Sequence, residues 1–162
     1  MPSSSKKKVL IASDHAGVTL KKALQEQLPE WTWEDLGPIE NVRVDYPDYA
    51  QLLASKILEG IADQGILICG SGIGMSIAAN KIPGIRAAVV ENPSAARLAR
   101  EHNDTNVLCL GSRFIAPEYG VEIAKIWLTT SFSGDTRHLQ RLEKIRSLES
   151  SLPKLNKKES QK

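Results

Sequence analysis

The segment Ile68-Cys69-Gly70-Ser71-Gly72-Ile73-Gly74-Met75 puts a thiol, a hydroxyl and three glycines at alternate positions between a strand-like run and a helical pattern. Glycines there let the backbone turn tightly and approach a ligand, and the free N–H groups of the helix that follows face the same place. Such a loop stabilises negative charge, either a phosphate or an oxyanion that develops during a reaction. The dinucleotide fingerprint would need glycine where Met75 stands, and the loop follows the third apolar run instead of the first. The Gly-Lys-Ser/Thr ending of a P-loop is absent as well. A helix N-terminus just downstream would favour the thiolate of Cys69, which suits a base or a nucleophile, and equally a redox or acyl-transfer cysteine. The second cysteine, Cys109, lies inside Val107-Leu108-Cys109-Leu110 and reads as a small core residue.

Other groups could complete a site. Asp14-His15 follows the first apolar run directly, where Asp14 is either a helix cap or a polar group facing a cleft. His102-Asn103 ends a helical pattern, so His102 is either a residue answering the helix dipole or a proton carrier. Arg137 and Arg141 are four apart at the start of the last helical pattern, on one face, where two guanidinium groups could clamp a phosphate or simply be solvated. Arg113, just after the fifth apolar run, is a third cation for the same purpose.

These residues need a scaffold, and the pattern of apolar runs supplies one. Strands are expected over Val9–Ser13, Trp31–Leu36, Gly65–Cys69, Ile85–Val90 and Asn106–Leu110, with helices over Val18–Leu28, Tyr49–Ile61, Met75–Lys81, Ser94–His102, Pro117–Leu128 and Thr136–Leu148. Continuous apolar strands alternating with helices predict an α/β fold, a three-layer α/β/α sandwich on a five-stranded parallel sheet of Rossmann-like or flavodoxin-like type. Doubly wound sheets commonly place the first strand between the second and third, which would bring Ser13-Asp14-His15 beside Cys69-Gly70-Ser71 at the carboxyl edge. At 162 residues the chain suits one domain, expected over 8–149, between a Ser/Lys-rich tail at 1–7 and a basic tail at 150–162, both expected to be disordered. With a formal charge of +2, no global field draws it to nucleic acid or to an anionic membrane, so any anion must be caught locally. Neither a signal-like apolar segment nor a run of the roughly 20 apolar residues of a membrane helix is present. Two cysteines without metal or disulfide spacing suit a reducing, cytoplasmic setting.

The ordered set Ser13-Asp14-His15-Ala16-Gly17, Val44-Asp45-Tyr46-Pro47-Asp48-Tyr49-Ala50, Cys69 to Gly74 with Ala78-Ala79-Asn80-Lys81, Ala99 to Asn103, Leu110 to Arg113, and Arg137 with Arg141 resembles the ribose-5-phosphate isomerase B family. That group of sugar-phosphate isomerases also includes galactose-6-phosphate isomerase subunits, and the likeness runs from about Lys8 to Leu148. It implies interconversion of ribose 5-phosphate and ribulose 5-phosphate through a cis-enediolate, in the non-oxidative pentose phosphate pathway, with no metal and no organic cofactor. In these terms Cys69 matches the base that moves a proton between C1 and C2, and His102 the group that opens the furanose ring. Ser71 with the amides of Gly70, Gly72, Ile73 and Gly74 matches the anion hole. Asp14, His15, Tyr46 and Asn103 match substrate-contacting positions, and Arg137, Arg141 and Arg113 the phosphate clamp. The family also implies a homodimer, in some members a tetramer, whose sites take Cys69 and His102 from different subunits. A second branch of the family carries a glutamate base where Met75 stands, so the chain resembles the cysteine branch. The segment Val90-Glu91-Asn92-Pro93-Ser94 departs from the family's usual wording. A hexose 6-phosphate such as that of galactose or allose is the nearest alternative substrate. A non-catalytic sugar-phosphate-binding module is the alternative from another class, and Cys69, His102 and Asp14 together argue against it.

Overall fold

The strands alternate their side chains between two apolar layers, and this alternation decides which helix covers which face. The protein is described by a computed structural model over residues 7–151. Its parallel strands are β1 (Lys8–Ser13), β2 (Thr32–Asp35), β3 (Gly65–Cys69), β4 (Ala87–Val89) and β5 (Val107–Gly111), arranged in the order β2-β1-β3-β5-β4. Val9, Ile11, Ile66, Ile68, Leu108 and Leu110 point to one face, where α1 (Val18–Gln27), α4 (Pro93–Glu101) and α5 (Pro117–Thr129) cover them with Leu20, Leu24, Ala96, Ile123 and Trp127. Leu10, Ala12, Leu67, Cys69 and Cys109 point to the other, under α2 (Tyr46–Leu58) and α3 (Ile73–Ala79). This is the expected three-layer sandwich. A last helix, α6 (Thr136–Ser151), lies outside both layers and buries a single residue, His138.

The strand order sharpens the expectation. β1 lies between β2 and β3, which sets the switch point where doubly wound sheets bind ligands. Beyond β3 the order departs from the flavodoxin sequence of strands, because β5 pairs with β3 and leaves the three-residue β4 at the edge. The loop after β5 therefore stands next to the loop after β3.

Several element limits differ from the sequence expectation for local reasons. Helix α2 begins at Tyr46 instead of Tyr49, because Pro47 occupies the first turn, where its missing N–H costs nothing. It stops at Leu58, ahead of Gly60 at φ +77°. Helix α3 begins at Ile73 instead of Met75, directly after Gly72 turns the chain at φ +75°. His15–Gly17 form a 3₁₀ turn with Asp14 as its cap, so the helical stretch starts earlier than Val18. The Lys7 carbonyl accepts a bond from Thr32 N–H at 3.0 Å, and Ser150 and Ser151 continue α6. The rest of both expected tails, 1–6 and 152–162, lies outside the described residues.

Candidate active site

Three loops meet at the carboxyl edge of β1, β3 and β5, and backbone hydrogen bonds join them. Asp14 N–H donates to the Ile68 carbonyl at 2.9 Å, Ser112 N–H to the Cys69 carbonyl at 2.9 Å, and Arg113 N–H to the Gly70 carbonyl at 3.0 Å. The Ser112 hydroxyl donates to the Ala16 carbonyl at 2.8 Å, tying the β5 loop to the β1 loop. Cys69 ends β3 and is buried, with the Gly72 N–H donating to its Sγ at 3.1 Å. Gly72 has to be glycine: its φ of +75° is one that side chains rarely adopt, and a Cβ there would sit 3.0 Å from the Leu110 carbonyl carbon. Ser71 Oγ accepts from Ile73 N–H at 3.3 Å as α3 starts.

Side chains from α2 and from the loop after β5 close over this loop. The Tyr46 ring, at the start of α2, lies so close to Gly74 that a Cβ there would be 2.6 Å from its Cζ. The Arg113 guanidinium lies against Gly70, 3.0 Å from where a Cβ would be. Asp14 is buried and spends Oδ1 on the Ala16 N–H at 2.8 Å, so it is a cap and a polar group at the cleft at once. Ser13 Oγ and His15 Nδ1 are enclosed beneath the site with no partner among the described residues. Met75 is fully buried, so the position used by the glutamate branch is part of the core. Cys109 faces the same layer as Cys69 but is fully enclosed, and burial pushes its thiol well above the ordinary range, the reading expected for a core thiol.

The remaining expected site residues are elsewhere. His102 caps the C-terminus of α4, its N–H donating to the Leu98 carbonyl at 2.9 Å. The turn after it is pinned by Asp104, which takes Arg86 at 3.1 Å and Arg100 at 2.9 Å. That turn enters the amino end of the sheet, where the Asn106 carbonyl accepts from Gly65 N–H at 3.0 Å. Gly65 starts the strand that Cys69 ends, and four steps of about 3.3 Å put roughly 13 Å of strand between the two ends. The exposed Asn103, Arg137 and Arg141 share the amino end with His102. Within one chain the expected residues therefore form two half-sites: Asp14, His15, Tyr46, Cys69 to Gly74 and Arg113 at the carboxyl edge, and His102, Asn103, Arg137 and Arg141 at the amino edge.

One residue of the second group went unnoticed in the sequence. The His138 ring stacks on that of His102 with centroids 4.3 Å apart and planes 14° from parallel. Its only sequence signal is its position between Arg137 and Arg141 at the start of the last helical pattern.

Fold and loop define a doubly wound α/β protein with a buried thiol beside a glycine-rich loop at its switch point. The model of the ribose/galactose isomerase family matches residues 9–145. Ribose-5-phosphate isomerase B of Escherichia coli is 46% identical over 145 residues, covering 88% of this chain and 97% of the relative. Type B ribose 5-phosphate isomerase of Trypanosoma brucei aligns with a TM-score of 0.85 at 47% identity, over 89% of this chain and 99% of its own. Ribose-5-phosphate isomerase B of Mycoplasma genitalium, solved with bound ribulose-5-phosphate, aligns with a TM-score of 0.84 at 43% identity, over 90% and 97%. The chain belongs to the ribose/galactose isomerase family. Among the described residues no helix is long and apolar enough to cross a membrane.

Proposed function

We propose that the chain interconverts D-ribose 5-phosphate and D-ribulose 5-phosphate, as a homodimer in which each site joins the carboxyl-edge group of one subunit to the amino-edge group of the other. The observation that carries the chemistry is the Gly72 N–H held 3.1 Å from Cys69 Sγ, because a hydrogen bond of this kind is stronger to a thiolate than to a thiol. The Mycoplasma genitalium relative with ribulose-5-phosphate bound supports the five-carbon substrate. The division of the expected residues between opposite edges supports the shared site, since neither group is complete alone. The two free cysteines suit a reducing cytoplasm.

The reaction then runs as follows. His102 from the second subunit takes the proton of the anomeric hydroxyl and returns one to the ring oxygen, so the C1–ring oxygen bond breaks and the aldehyde forms. The Cys69 thiolate removes the C2 proton, and the electron pair moves into a C1–C2 double bond with negative charge on O1. Ser71 and the amides of Gly70 to Gly74 stabilise that oxyanion where it develops. The O2 proton passes to O1, the Cys69 thiol returns its proton to C1, and the C2 carbonyl of the ketose results. Asp14, His15, Tyr46 and Asn103 hold the hydroxyls. Arg137, Arg141 and Arg113 hold the phosphate, so binding energy far from the reacting carbons fixes their position.

Subunit mixing tests this arrangement. Cys69→Ser and His102→Ala are each expected to be nearly inactive on ribose 5-phosphate. After random subunit exchange the mixture should recover about one quarter of the parent's activity, because half of the dimers then hold one intact site of two. A mixture that stays inactive would show that both groups act within one chain. Faster turnover of galactose or allose 6-phosphate than of ribose 5-phosphate would overturn the choice of substrate.

A further inference from the structure

We propose that His138 is a positioning residue, whose ring stacks on His102 and holds the ring-opening imidazole and the phosphate-clamping helix α6 as one unit. The inference rests on the reading of His102 as the ring-opening group. Three observations lead to it. First, His138 is 3% exposed and is the one buried side chain of α6 among its described residues, so this ring is the part of the helix set into the body of the protein. Second, the ring makes a parallel stack with His102 at 4.3 Å, a distance at which sliding or tilting of one ring displaces the other. Third, its Nε2 is enclosed with no hydrogen-bond partner among the described residues, Asp135 Oδ2 standing 3.9 Å away. A side chain present only to fill space would leave no unpaired ring nitrogen. What the imidazole adds over an aliphatic filler is a flat face.

The surroundings explain why such a partner helps. His102 must change protonation during ring opening, whereas the ring stacked on it is of use only while it stays neutral, since two stacked imidazolium ions repel. The groups facing His138 are His102 from the end of α4, Asp135 from the turn before α6, and Arg137 and Arg141 from α6 itself. Burial first, and then the His102 and arginine charges, hold His138 below the ordinary histidine range against the opposing pull of Asp135. The linker to α6 is fixed at the same point, for Ser133 N–H donates to the Glu101 carbonyl at 3.1 Å, one residue before His102. Arg137 and Arg141 flank His138 along the helix, so the stack that orients His102 also places the clamp.

The test pairs turnover with a reaction that needs no ring opening. Ribulose 5-phosphate is an open-chain ketose, and uptake of solvent deuterium at its C1 uses Cys69 and the glycine loop but not the ring-opening step. His138→Ala should lower kcat on ribose 5-phosphate about tenfold and raise KM several-fold, as a displaced catalytic group and a loosened clamp require. His138→Phe, which restores a flat ring, should recover kcat to within about threefold of the parent, and His138→Leu, which fills the space without one, should not. Deuterium uptake at saturating ribulose 5-phosphate should stay within about twofold of the parent in all three, because the carboxyl-edge group is untouched. Either of two results overturns the proposal: His138→Leu turning over like the parent, or uptake falling in step with turnover, which would make His138 a structural residue only. If the unmodified protein did not isomerise ribose 5-phosphate, the functional reading would fail instead, before any variant was compared.

Discussion

Cys69 sits where hydrogen bonds from three loops converge on buried strand ends, whereas α6 is joined to the rest of the described chain by the His138 ring and by Glu149, whose Oε1 accepts from Gly84 N–H at 2.8 Å. On the first side the carbonyls of Ile68, Cys69 and Gly70 are all held by the loops after β1 and β5. On the second, Leu139, Ile145 and Leu148 remain about half exposed. The contrast fits the proposed division of labour. Proton abstraction from carbon tolerates little displacement, and its proposed base is built on the sheet. The proposed phosphate clamp is carried on an outlying helix, as a site shared between two subunits would require.

Substitutions can break or sharpen this contrast. The largest effect should come from Cys69→Ser, which removes the proposed base but leaves the loop: kcat is expected to fall about a thousandfold, within the range general bases contribute, with the circular dichroism unchanged. Residual turnover near the parent's would remove the thiol from the mechanism. Next is Trp127→Ala, in the core below the His102 end, where Trp127 is fully buried and its Nε1–H donates to Thr105 Oγ1 at 2.8 Å. Denaturant unfolding should show a loss of about 3–5 kcal/mol. Gly111→Ala follows. The new Cβ would lie 2.6 Å from the Ser71 carbonyl oxygen, so the glycine loop after Cys69 must move. About 1–3 kcal/mol of stability should be lost, together with most of the activity. Turnover like the parent's would mean that the loop does not need its observed position.

Smaller effects test the other side. His138 stays neutral in the folded protein to a lower pH than an unfolded histidine, so the unfolded chain takes up protons first as pH falls. The stability tied to this group is present above about pH 6.5 and is lost on acidification below it. Thermal unfolding of His138→Phe should therefore depend less on pH between neutral and mildly acidic conditions than that of the parent, and equal slopes would contradict the burial. Smallest is Leu148→Ala on the exposed face of α6, for which a change within about 0.5 kcal/mol is expected in an isolated subunit. A larger, concentration-dependent loss would show that the face is covered by a second copy.

Much of this was legible before any coordinates. The apolar runs ending at Ser13, Cys69 and Leu110 announced strands, because only a sheet covered on both faces needs such continuous apolar segments. The alternate glycines after Cys69 announced a tight backbone turn, which Gly72 makes at φ +75°. Boundaries were harder. Pro47 reads as a breaker in a window of residues but as a good first turn once the helix ahead of it is known, and Ala87–Val89 pairs on one side only, so it is shorter than its apolar run.

The residue types and their spacing were enough to determine the fold class and the thiol loop, because each depends on local conformation and on periodic burial. Tertiary structure alone decided that β5 lies beside β3, which brings Arg113 against Gly70, and that His102 stands at the far end of the sheet from Cys69. The stack of His138 on His102 belongs with these, since it joins residues 36 positions apart. Strand order and the docking of a final helix depend on contacts between distant segments, and no local pattern of side chains encodes them.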